Sequence, residues 1–180
     1  MDDSLVIEQV RGGRTDAFSH VVERYQAPIA RYLSRMTGNH DVAQDLAQDT
    51  FIQAYRGILK TTSELSFKAW LYKIATNNAR QYHRRRQLLS FLPFTGSENF
   101  SVGVDDPVSD SVGDRLMVQQ AMLKVSHDRR TCMVLHFVEG LKYREIAEVI
   151  GTTEEAVRKQ VARGSKDFRE AYGKLSGESQ

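Results

Sequence analysis

The segment LKYREIAEVIGTTEEAVRKQVARG, residues 141–164, holds five side chains able to hydrogen-bond base edges or phosphates: Glu154, Arg158, Lys159, Gln160 and Arg163. The residues around them carry the layout of a helix-turn-helix. Ile146 and Ala147 are spaced to pack inward on a first helix, and Gly151 can take the left-handed conformation that stops it. Thr152 or Thr153 can cap a second helix, with Glu155 placed to complete a capping box from Thr152. Val157 and Val161, four apart, form the buried stripe of that helix, and small Ala147 permits a close, steep crossing. What stays outside is the polar and cationic set, chemistry suited to a DNA major groove. A helical hairpin with a merely solvated polar face is the alternative, and the basic continuation through Lys166 and Arg169 speaks against it.

Two further stretches could do chemistry. In DLAQDTFIQAY, residues 45–55, the spacing of Leu46, Phe51, Ala54 and Ile58 predicts a buried face, leaving Asp45, Gln48, Asp49 and Gln53 as an acidic and amide face. Such a face is either solvated or holds a partner. In FKAWLYKIATNNARQYHRRR, residues 67–86, aromatics alternate with bases. Phe67, Trp70, Leu71, Ile74 and Asn78 share one helical face; Lys73, Asn77, Arg80 and Arg84 share another. Trp70, Tyr72 and Tyr82 offer flat surfaces to unstacked bases, although Phe67, Trp70 and Leu71 also fit a core. A core does not account for the cationic face.

These segments need helices to present them, and the chain has the pattern for it. Helical periodicity runs through residues 17–36, 42–59 and 67–85, then 115–125, 129–138, 143–150 and 154–172, with no alternating strand pattern. Asp16 is a candidate N-cap for the first run, and Gly38 and Asn39 end it. The fold class is therefore all-α. Pro93, Gly96, Gly103 and Pro107 break the pattern in a Ser- and Asp-rich stretch, read as a linker over residues 89–112 between small domains at 1–88 and 113–180. Leu89, Phe91, Leu92, Phe94 and Phe100 are apolar enough that this linker is expected to lie on a surface.

Charge separates along the 180 residues although the total is only +2. Residues 56–88 carry eight bases against Glu64 alone, 89–114 carry five acids and no base, and 156–174 carry six bases against two acids. Two cationic modules favour a polyanionic partner over simple solvation. One cysteine, Cys132, excludes an internal disulfide and a four-cysteine zinc site. Cys132 and His136 stand four apart with His127 nearby, a spacing that could hold a metal, but a lone cysteine among apolar residues reads as a small buried hydrophobe. No P-loop, paired catalytic carboxylates or Ser-His-Asp arrangement can be argued, so no enzyme, cofactor or metal is expected. The N-terminus lacks a signal-peptide pattern and no apolar run could span a bilayer, so a soluble cytoplasmic protein is expected without membrane insertion.

In this order, the three motifs resemble the extracytoplasmic-function (group 4) sigma factors of the bacterial sigma-70 family. DAFSHVVERYQAPIARYLSRMTGNHDVAQDLAQDTFIQAY is similar to that family's first conserved region, residues 67–86 to its promoter-opening region, and residues 115–172 to its C-terminal domain. The resemblance implies a sigma factor that binds core RNA polymerase through the β′ clamp and the β subunit, directs it to minus 35 and minus 10 elements, and helps open the DNA. It assigns Asp45, Gln48, Asp49 and Gln53 to the coiled-coil clamp of β′. It assigns Lys73, Asn77, Arg80 and Arg84 to melted DNA at the minus 10 element, and Glu154, Arg158, Lys159, Gln160 and Arg163 to duplex DNA at the minus 35 element. It further implies an anti-sigma factor as partner and a linker threading toward the polymerase active-site channel. The rival readings are a free-standing helix-turn-helix regulator and an RNA-holding module; neither needs the acidic face at Asp45, Gln48 and Asp49.

Overall fold

The computed structural model describes residues 3–59, 66–90 and 112–177. Among them are eight α-helices and no strand: α1 (Asp3–Arg11), α2 (Phe18–Thr37), α3 (His40–Ile58), α4 (Phe67–Ser90), α5 (Val112–Lys124), α6 (His127–Met133), α7 (Tyr143–Ile150) and α8 (Glu154–Ser176). The all-α expectation holds. The helices form two compact units, α1 to α4 lying in Met1–Thr37 and Asp41–Asn99, and α5 to α8 in the second. The stretch read as a linker lies almost wholly outside the described residues, as does most of the loop between α3 and α4.

In the first unit, α2 supplies the central stripe. Val21, Tyr25, Ile29, Tyr32, Leu33 and Met36 recur at three- and four-residue intervals and are all buried. Ala43, Ala47 and Ala54 of α3 and Ala69, Ala75 and Ala79 of α4 add small buried residues to the core, where α2 packs against α4. Tyr32 and Tyr72 meet edge to face at 5.3 Å, and the Tyr32 hydroxyl pairs with the Thr76 hydroxyl at 2.7 Å inside the core.

Helix α1, nine residues long, goes unassigned in the sequence reading, and a helix that short is stable only when packed. Val6 and Val10 anchor it in the core. Its ends are tied by side chains: Arg24 and the Tyr25 hydroxyl both bond to the Asp3 carboxylate, and Arg11 Nε donates to the Ile58 carbonyl at the end of α3. Burial, and then the bond to Asp3, push the Tyr25 phenol well above its ordinary value. The stabilisation from that shift is therefore complete below the unfolded phenol's pKa of about 10 and fades only as pH rises beyond it.

Asp16 does not cap α2. The chain enters that helix through a 3-10 turn over Thr15–Ala17, which winds Ala17 and Phe18 into the core. The Asp16 carboxylate faces Arg14 at 4.0 Å, while the Asp16 carbonyl accepts from the Ser19 hydroxyl.

In the second unit, Ala121, Val125, Cys132, Val134, Leu135, Leu141, Ile146, Val157 and Val161 form the core. Cys132 is wholly buried there. Helix α6 ends in a π-helical turn, Val134–Val138, closed by the Glu139 amide donating to the Val134 carbonyl at 3.1 Å. Arg129 of α6 and Asp167 of α8 form an ion pair at 2.5 Å.

Candidate nucleic-acid and partner interfaces

The helix-turn-helix is built by its two caps. The Lys142 amide donates to the Glu145 carboxylate at 2.8 Å to open α7, and Gly151 closes it at φ 74° with its amide on the Ala147 carbonyl. Thr153, not Thr152, is the N-cap of α8, its hydroxyl accepting from the Ala156 amide at 3.2 Å. The predicted capping box from Thr152 to Glu155 is therefore not formed, because the cap falls one residue later and puts Ala156 where the box needs an acid. Glu155 pairs with Lys159 at 2.6 Å instead. Val157 and Val161 turn inward, leaving Glu154, Arg158, Lys159 and Arg163 exposed and Gln160 half-buried. All five predicted contact residues thus lie on the surface of one helix.

Their charges are partly balanced in the free protein. Arg158 pairs with Glu154 at 3.3 Å and Lys166 with Glu170 at 3.8 Å, each across one helical turn. Exposed pairs of this kind contribute only about 0.3–0.5 kcal/mol. They therefore yield readily to phosphate, whose binding also releases counterions.

On α4, Asn77 and Arg84 are exposed and Lys73 and Arg80 half-buried, so the cationic face survives as expected. The aromatic expectation does not survive whole. Tyr72 is fully buried and cannot offer a surface to bases, because its ring packs edge to face on Tyr32 in the core. Trp70 is half-buried beside Gly57; a Cβ at Gly57 would stand 2.9 Å from the indole, so only glycine admits it. Tyr82 remains half-exposed.

On α3, Asp45, Gln48, Asp49 and Gln53 are all exposed. Sequence reasoning missed what lies beside them. Asp45 and Gln48 rim a groove of about 760 Å³ between α2 and α3, floored by Phe18, Phe51, Ile52 and Tyr55. Ile52 is 41% exposed there. The i, i+4, i+7 spacing of Gln48, Ile52 and Tyr55 was the available signal. An acidic rim over an apolar floor suits a partner helix better than water alone.

Gln53 also has a structural task. Its amide donates to the Asn78 carbonyl oxygen at 3.1 Å, and Asn78 donates in turn to the Thr50 hydroxyl at 3.1 Å, bonding α3 to α4. Asn78 is buried while Gln53 is exposed. Asn78→Ala is expected to lower stability by about 1–3 kcal/mol in a urea melt, since it breaks a buried polar chain. Gln53→Ala should cost about 0.5 kcal/mol or less, because water replaces its lost bond.

Among the described residues no group of three or more His, Cys, Asp or Glu side chains could hold a metal ion. The His136 ring, four residues from Cys132, has Nδ1 3.1 Å from the Leu141 carbonyl and packs at a tilt against Tyr143. No described helix is long and apolar enough to cross a membrane.

Comparison with known proteins bears on both units. The sigma-70 region 2 family model matches residues 21–88, and that of sigma-70 region 4 matches residues 115–168, together well over half of the chain. The chain is 32% identical over 173 residues to the ECF RNA polymerase sigma-E factor of Haemophilus influenzae, covering 91% of each. It is 31% identical over 173 residues to that of Escherichia coli strain K12, covering 91% of this chain and 90% of the other. In fold it is similar to CnrH in complex with the cytosolic domain of CnrY, with a TM-score of 0.71, 21% identity and 99% of both chains covered. It is similar also to the sigma factor RpoE in complex with the anti-sigma factor NepR from Bartonella quintana, with a TM-score of 0.71, 20% identity, and 91% and 98% covered.

Proposed function

The chain belongs to the extracytoplasmic-function sigma factors of the sigma-70 family, and on that footing we propose how its three faces divide the work. As a sigma factor it binds core RNA polymerase, directs it to promoters and takes part in transcription initiation. Residues 1–88 hold polymerase and the minus 10 element, and residues 113–180 hold the minus 35 element. On α3, Asp45, Gln48, Asp49 and Gln53 meet the β′ clamp. The exposed carboxylates and the adjoining apolar groove support this reading, since they offer charge complementarity to a basic partner and apolar area to bury.

On α4, Lys73, Asn77, Arg80 and Arg84 track the backbone of the opened strand and stabilise bases leaving the stack at the minus 10 element. On α8, Arg158, Lys159, Gln160 and Arg163, with Glu154 at the helix start, enter the major groove of the minus 35 element. The β subunit is the other polymerase partner. No chemistry is asked of the chain's own side chains: it supplies binding and strand separation in the cytoplasm, where its polymerase works. RpoE was solved with the anti-sigma factor NepR, and an anti-sigma factor is the regulator we assign here, covering these same faces.

The observation that carries the proposal is the presence in one chain of an outward cationic α8 and an acidic, groove-lined α3. A titration of labelled protein against bacterial core RNA polymerase at physiological salt, with unrelated DNA as control, tests it. Tight binding to polymerase without DNA is expected. Binding to DNA with none to polymerase would overturn the assignment of α3.

A further inference from the structure

Four side chains form a continuous chain of contacts from the π-helical turn to the start of α8. The His136 ring meets the Tyr143 ring at a tilt of 38° with centroids 4.4 Å apart, and its Nδ1 lies 3.1 Å from the Leu141 carbonyl. The Arg158 guanidinium carbon stands 5.8 Å from the centre of the Tyr143 ring, and Arg158 Nη2 is 3.3 Å from the Glu154 carboxylate. Arg158 is thus held at two points, one on its own helix and one on α7. An arginine side chain left free samples many rotamers, and each must be given up when its fork engages a base. A planar ring beneath the guanidinium restricts that freedom beforehand through attraction between the cation and the ring face.

We propose that Tyr143, braced by His136, is a positioning residue for Arg158, so that selectivity at the base pairs Arg158 reads depends on a ring carried by another helix. This rests on the reading of α8 as the recognition helix. Tyr143 sits at the first position of α7, where the opening bond from the Lys142 amide to Glu145 fixes the backbone. Its place relative to α8 is set by the packing of α7 on α8, helices that bury Ile146 and Ala147 on one side and Val157 and Val161 on the other.

The test uses holoenzyme, the full chain with core polymerase, in competition binding on promoter duplexes carrying single substitutions in the minus 35 element. Arg158→Ala first identifies the base pairs at which Arg158 discriminates. Tyr143→Leu is expected to reduce discrimination at those base pairs by about two- to fivefold, the scale of an exposed cation–ring contact. It should have little further effect in the Arg158→Ala background. Tyr143→Phe, which keeps the ring, is expected to retain wild-type discrimination. His136→Leu, which removes the ring packed against Tyr143, should shift discrimination in the same direction and serves if Tyr143→Leu does not fold. Equal loss of affinity on every duplex, or unchanged discrimination, overturns the proposal while leaving α8 as the recognition helix. If Arg158→Ala alters no base preference, the recognition reading fails and this inference with it.

Discussion

Asp49→Arg is expected to weaken binding to core RNA polymerase by about 100-fold or more, with no loss of thermal stability. The side chain is exposed on α3, between the groove-rimming Gln48 and the Thr50 hydroxyl that holds Asn78. No core volume changes, and arginine favours a helix more than aspartate does. At the interface the substitution replaces an attraction with a repulsion, and like-charge contact costs several kcal/mol where water is excluded. About 2.7 kcal/mol already corresponds to the stated 100-fold. Asp49→Asn, which removes the attraction without adding a repulsion, should lie between the two. Affinity equal to wild type for both variants, measured by fluorescence anisotropy against core polymerase, would remove Asp49 from the contact surface.

Gly164→Val is expected to unfold the second unit or to destabilise it by about 3 kcal/mol, and to abolish binding to a minus 35 duplex. Glycine inside an exposed helix usually weakens it, so replacement by alanine ordinarily gains about 0.5–1 kcal/mol. Here the sign reverses. Gly164 is buried on α8 against α6, and a Cβ there would meet Met133 Sδ at 2.5 Å and Arg129 Cβ at 3.1 Å. The methionine sulfur can swing away, but the arginine Cβ moves only with its backbone. The two further methyl groups of valine then force the helices apart, and overpacking of this kind costs about 1–3 kcal/mol or more. Separation also strains the ion pair between Arg129 and Asp167, one turn along α8. Because α8 carries the residues proposed to read the minus 35 element, DNA binding is expected to be lost with the packing. Circular dichroism melts and duplex titration of the same sample read both effects; a variant that melts as wild type would show that α6 and α8 tolerate the added volume.

Much of the fold was legible without coordinates because the sequence carries a strong helical period. The stretch 143–150 was read with the bounds of α7, and the start of α8 was read at Glu154, because Gly151 and the two threonines punctuate the chain there. The cationic face of α4 and the acidic face of α3 were legible for the same reason, since a charged side chain at helical spacing has few places to go but outward.

The sequence by itself determined the class of the fold, the order of seven of its eight described α-helices, and which faces carry charge. Tertiary structure decided which of several compatible contacts each face makes. Tyr72 could have served bases, but the approach of α2 puts it against Tyr32 in the core. Thr152 and Thr153 are equally good caps by type, and the path of the turn chose Thr153. Gln53 looks like any exposed amide, yet the register of α3 on α4 brings Asn78 within 3.1 Å. Gly57 and Gly164 carry no signal in the sequence reading, and only the fold puts Trp70 and Met133 where their side chains would stand. The physical reason is common to the tyrosine, the glutamine and the glycines. Periodicity fixes the direction in which a side chain leaves its own helix, whereas what it meets depends on the crossing angle and distance of a second helix, which no local pattern encodes.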